Sequence, residues 1–119
     1  MKVTTARELQ EQFHICMPLF IALGDEVRLS IIEALTEEAF SHSSAAGPVV
    51  FEEHGLNVNE ITQKTSLSRP AISHHLKILK DAGLVNIRQE GTANYYYLTL
   101  RDSNRLLMGL GYKLEEFIY

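Results

Sequence analysis

"SLSRPAISHHLKILKDAGLV", residues 66–85, holds a turn, a capped helix and a stop. Ser68 supplies the hydroxyl that caps a helix over Arg69 to Ala82. Pro70 falls in its first turn, where amides have no intrahelical partner and a missing one costs nothing. Gly83, which accepts positive φ, ends it. At about 100° per residue, Ile72, Leu76, Leu79 and Gly83 share one side, with Ile78 and His75 at a flank. Pro70, Ser73, His74, Lys77 and Asp81 share the opposite arc, and Arg69 projects from the first turn. One side is core. The other concentrates hydrogen-bond donors at the helix start, the arrangement that fits a major groove, where first-turn side chains approach base edges and a later lysine meets phosphate.

Outward from this helix the pattern continues. "NEITQKT", read as two helical turns capped by Asn59, precedes the polar turn "SLS", so two short helices joined tightly form a helix-turn-helix. After Gly83, "LVNIRQ" and "YYYLTL" are β-rich runs around "EGTAN", a hairpin with Gly91 in its turn and the expected wing. Tyr95, Tyr96 and Tyr97 alternate faces and pack the hairpin, leaving one hydroxyl for phosphate.

The N-terminal part frames this unit. Ala6, Leu9, Phe13, Cys16, Met17 and Phe20 recur at helical steps as one buried stripe, and Pro18 predicts a kink or a break opening a second short turn. In "LGDEVRLSIIEALTEE", Asp25 caps a restarted helix whose apolar face is Val27, Leu29, Ile31, Ile32 and Leu35. "AFSHSSAAGPVVFEEHGLN" predicts a long loop at about 39–57 in which "PVVF" is either a short strand or a loop anchor. A final amphipathic helix from Ser103 carries Leu106, Leu107, Leu110, Leu114, Phe117 and Ile118, weakened by Gly109 and Gly111. The fold class expected is mainly α with a small β-hairpin, a winged helix-turn-helix forming a single domain over 1–119.

Charge distribution decides how the net charge of −4 is read. Residues 1–63 carry three basic and ten acidic side chains, a balance of −7. Residues 64–105 reverse the sign, with seven basic against three acidic, +4. A local basic field attracts phosphate although the whole chain is acidic. With 45% hydrophobic residues, no membrane-length apolar run and no apolar core at its start, the sequence predicts a cytoplasmic protein with no membrane role. The lone Cys16 agrees with a reducing compartment.

Three stretches resemble the ArsR family of bacterial winged-helix transcriptional repressors: "LGDEVRLSIIEAL", "LSRPAISHHLKILKDAGLV" and "IRQEGTANYYYLTL", spanning most of residues 20–100. The resemblance implies a homodimer held by the first and last helices, which binds a roughly palindromic operator and is released by an effector. It places Ser68, Arg69, Ser73, His74 and Lys77 in the groove, and Arg88, Thr92 and Asn94 on backbone or minor groove. His75 would face the core flank. An apolar last helix that a small core does not fully cover also needs a partner, and two-fold symmetry would mirror two half-sites.

The departures are equally specific. Metal-sensing members carry Cys-x-Cys before the recognition helix or histidine and acidic ligands on the last helix; here "NVNEI" lacks cysteine and the last helix lacks histidine. The 39–57 loop exceeds the family norm. Cys16, His14, His42 and His54 are the remaining candidates for zinc, but His14 and Cys16 lie about 200° apart on a regular helix. No metal or cofactor is expected, and the effector stays open: metal, oxidant, small organic ligand held in the loop, or none. No nucleophile–base pair, phosphate-cradling glycine loop or paired-carboxylate motif appears, so catalysis is not expected. A winged-helix module that binds protein instead of DNA would show an acidic or apolar outer face, against which Arg69, Ser73 and Lys77 argue.

Overall fold

A computed structural model describes residues 4–41 and 47–118. Among these, α1 (Ala6–Leu23), α2 (Glu26–Ser41), α3 (Val58–Thr65) and α4 (Arg69–Asp81) precede an antiparallel hairpin of β1 (Val85–Glu90) and β2 (Ala93–Leu98), and α5 (Arg101–Glu115) follows. The architecture is the expected winged helix-turn-helix, mainly helical with one small sheet. Its core is drawn from the first four helices and the hairpin: Leu19 of α1, Ile31 and Leu35 of α2, Ile61 of α3, Ile72, Leu76 and Leu79 of α4, and Leu84, Val85 and Leu98 of the hairpin region.

Capping fixes where the helices begin. Asp25 Oδ1 accepts the amides of Val27 at 2.9 Å and Arg28 at 3.1 Å and starts α2. The cap of α3 is Asn57, not Asn59. Its side chain accepts the Glu60 amide at 2.8 Å while Glu60 accepts the Asn57 amide at 3.0 Å, and this reciprocal pair makes the earlier start the better one. Ser66, at φ 61, closes α3 in the left-handed region. Ser68 Oγ then accepts the Ala71 amide at 3.4 Å and starts α4 as expected. Gly83 has φ 78 and takes the chain out of α4. Glu90 pairs with Ala93 across a two-residue turn in which Gly91 alone has positive φ, 64, the hairpin form that wants glycine first.

Other expectations change. The α1 helix runs unbroken through Pro18; His14, whose carbonyl loses its partner, and Pro18 are both exposed, so water can donate instead. The α1 stripe is buried only in part: Cys16 is fully buried, whereas Phe13, Met17 and Phe20 remain 43%, 45% and 42% exposed. The buried edge is Gln12, Cys16, Leu19 and Ala22, because α5 packs there. Gln12 Nε2 donates to the Leu106 carbonyl at 3.0 Å, Lys113 donates to Gln12 Oε1 at 3.1 Å, and Cys16 Sγ lies 3.3 Å from the same carbonyl. Leu29 likewise points outward from α2. The loop is shorter than 39–57, since α2 extends to Ser41; residues 42–46 lie outside the described residues. Of the two readings of "PVVF", the loop anchor holds: Phe51 packs against the core and opens a 3₁₀ turn over Phe51–Glu53, and the residue that joins the sheet is Leu56, paired with Tyr96 in both directions at 2.9 and 2.8 Å.

Candidate nucleic-acid interface

The outer arc of α4 is exposed along its whole length: Arg69, Pro70, Ser73, His74, Lys77 and Asp81 all face solvent, while His75 is half-buried on the inner flank. Ser68 uses an oxygen lone pair for its cap, so its hydroxyl proton stays available to an acceptor such as phosphate. Arg69 NH1 donates to Asn59 Oδ1, which holds the guanidinium beside the start of α3. Sequence spacing assigned Asn59 to capping and missed this contact. The signal was present, because an asparagine three residues before Glu60 already satisfies the cap and leaves Asn59 unclaimed.

Arg69, Thr92 and Asn94 line one open cleft of about 320 Å³ with Asn57, Asn59 and Tyr96. The first turn of α4 and the tip of the wing are therefore neighbours, and polar groups from three elements converge there. Ser73, His74 and Lys77 lie further along the α4 arc and outside that cleft. Arg88 stands apart from both groups. Its guanidinium lies 5.2 Å above the Tyr95 ring and pairs with Glu90 at 3.1 Å, and its Nε is buried without a partner.

Two acidic side chains temper the basic field. Lys77 pairs with Asp81 at 3.0 Å as Arg88 does with Glu90. Exposed pairs of this kind contribute about 0.2 to 1 kcal/mol, so a phosphate can displace either carboxylate. Among the described residues no three of His, Cys, Asp and Glu are grouped to hold an ion. Cys16 is fully buried and His14 exposed on another face of α1, and His42 lies outside the described residues.

Residues 51–86, from the 3₁₀ turn through α4 into β1, match the family described as bacterial regulatory protein, arsR family. An uncharacterized HTH-type transcriptional regulator of Methanocaldococcus jannaschii is 35% identical over 88 residues, 74% of this chain and 82% of that protein. The chain belongs to the ArsR family. It is accordingly a DNA-binding transcriptional regulator. The transcriptional repressor SdpR of Bacillus subtilis is 37% identical over 51 residues, 40% of this chain and 57% of its own length. The fold agrees: the solved ArsR-like transcriptional regulator from Rhodococcus sp. RHA1 superposes with a TM-score of 0.67 at 23% identity, over 90% of this chain and 84% of that one. Regulators of this family act through DNA rather than by catalysis, and no helix among the described residues is long and apolar enough to cross a membrane.

Proposed function

We propose that the chain is one DNA-binding unit of a cytoplasmic homodimeric repressor that occupies a two-fold symmetric operator and is released by an effector. In this reading Ser68, Arg69, Ser73, His74 and Lys77 enter the major groove. Thr92 and Asn94 at the wing tip meet backbone or minor groove, and Arg88 reaches phosphate once it exchanges Glu90 for it. The observation that supports the reading is the cleft that Arg69, Thr92 and Asn94 share, which brings the start of the recognition helix and the wing tip together.

The uncovered apolar faces support the dimer. On α1, Phe13, Met17, Phe20 and Ile21 form one face, and on α5, Met108 and Tyr112 point away from the core. These two helices pack against each other, so a second copy can cover both together. Adjacent exposed aromatics and methionines of this kind mark association surfaces.

Selection of duplexes from a random pool by the purified protein tests the reading. Enriched sites are expected to be two-fold symmetric, with half-sites about 10 bp apart and affinity falling linearly in log–log form as salt rises. A pool without enrichment at low salt would refute it, as would capture of a protein partner in place of DNA.

A further inference from the structure

We propose that Arg28 and His75 are a positioning pair: they seat the recognition helix on the end of α1, and the link holds only while the His75 ring is neutral. The inference rests on the DNA-binding reading above. Arg28 is only 9% exposed, and a buried guanidinium persists only where its donors find acceptors. Its Nε donates to the Ala22 carbonyl at 2.8 Å and its NH2 to the Ile21 carbonyl at 3.0 Å. Both carbonyls belong to the last turn of α1, where no amide of the helix can reach them. The remaining arm, NH1, lies 3.1 Å from Nδ1 of His75. One side chain of α2 thus joins the terminus of the helix with the uncovered apolar face to the middle of the helix with the exposed polar arc.

The chemistry of the third contact sets its condition. A guanidinium has donors only, so Nδ1 must be the acceptor and the proton of the neutral ring sits on Nε2. A proton on Nδ1 removes the acceptor and sets two cations against each other at the same distance. From α2 and its cap, His75 is faced by Arg28 and, behind it, Asp25, whose Oδ2 is 3.9 Å from Arg28 NH2. Asp25 already accepts two amides of its own cap. From α1 the contribution is the two carbonyls bound by Arg28, and on α4 itself the neighbouring ring is His74, with centroids 5.6 Å apart. Among the described residues no group of α3 or the hairpin hydrogen-bonds or ion-pairs with His75. His74 and His75 are therefore adjacent histidines with opposite responses to acid: a proton on His74 adds charge toward DNA, and a proton on His75 loosens the seat of the helix.

The test uses the full chain and a fluorescein-labelled duplex carrying a site enriched from the random pool, at constant salt, from about pH 8 to about pH 5, the range over which histidine changes charge. His75→Asn keeps an acceptor near the position of Nδ1 and cannot be protonated; His75→Leu removes it. At the alkaline end the Asn variant is expected to bind as wild type, with His75→Leu and Arg28→Lys weaker by about tenfold. On acidification the ratio of wild-type to Asn-variant dissociation constants should rise about tenfold, a ratio from which His74 cancels. A flat ratio, or a Leu variant that binds as wild type, overturns the proposal. Nitrogen NMR of the histidine rings tests the link without DNA: an unprotonated Nδ1 on His75 supports it, and a proton on Nδ1 of the neutral ring refutes it. If wild type binds no duplex, the functional reading fails while the ring tautomer still decides the link.

Discussion

Two helices of this chain, α4 and α1, carry clear apolar stripes and have opposite fates. The stripe of α4, Ile72, Leu76 and Leu79, is buried by the chain itself, and its opposite face is polar. In α1 the most regular stripe is open, while the edge that meets α5 is built around Gln12, whose amide is satisfied by Leu106 and Lys113. Periodicity reports that a face should be dry. It does not report which molecule keeps it dry; in the proposed dimer, a second copy would cover the α1 face.

The largest expected effect separates these two stripes. Leu76→Ala should lower unfolding stability in urea by about 2 to 5 kcal/mol, because it empties a closed site in the core. Phe20→Asp should leave the fold of the separated chain largely intact and abolish dimerisation, read by sedimentation at micromolar protein. Equal losses of stability from the two changes, with no change in mass, would break the contrast.

A smaller effect belongs to the polar arc. Arg69→Ala should cost about 1 to 3 kcal/mol of specific DNA binding with no shift in the urea midpoint. Smaller again, Asn59→Ala should weaken binding by about 0.5 to 1.5 kcal/mol and add nothing in an Arg69→Ala background, since its effect passes through Arg69. Additive losses in that double-mutant cycle would show that Asn59 acts on its own.

The smallest concerns acid. The Asp25 carboxyl is held below its ordinary pKa, first by the Arg28 amide and further by the charge of Arg28 and the Val27 amide, against an opposing effect of burial. A depressed carboxylate stabilises the fold above its unfolded pKa and loses that contribution as pH falls through the folded value. Wild type should therefore lose stability more steeply than Asp25→Asn as pH falls below about 4. Parallel pH profiles of the two proteins would contradict this. Glu116, whose carboxyl is lowered by hydrogen bonds from Thr4, including the Thr4 amide at 2.6 Å, ties the two ends of the chain and should add to the same acid sensitivity.

Much of the fold was legible because its signals are local. The Ser68 cap, the 72/76/79 spacing, Gly83 and the Gly91 turn are each decided within a few residues, and α4 and the hairpin lie where the sequence places them. What stayed hidden depends on contacts distant in sequence. "PVVF" has strand propensity but pairs with no strand, whereas Leu56 meets Tyr96 forty positions away. Pro18 interrupts a hydrogen bond on an exposed side of α1, where the helix continues past it. Nothing local around Arg28, between Val27 and Leu29, signals its burial, which follows from the end of α1 turning its carbonyls toward it. Of the candidate interface, the α4 arc was readable from angular position alone. The proximity of Arg69 to the wing tip and the pairing of Arg88 with Glu90 needed the tertiary fold.

The most direct measurement is the mass of the protein–DNA complex by analytical ultracentrifugation, with a hydroxyl-radical footprint on the same selected duplex. Two chains per duplex and two protected tracts about 10 to 10.5 bp apart, centre to centre, are predicted. One chain per duplex with a single tract would contradict the two-fold arrangement.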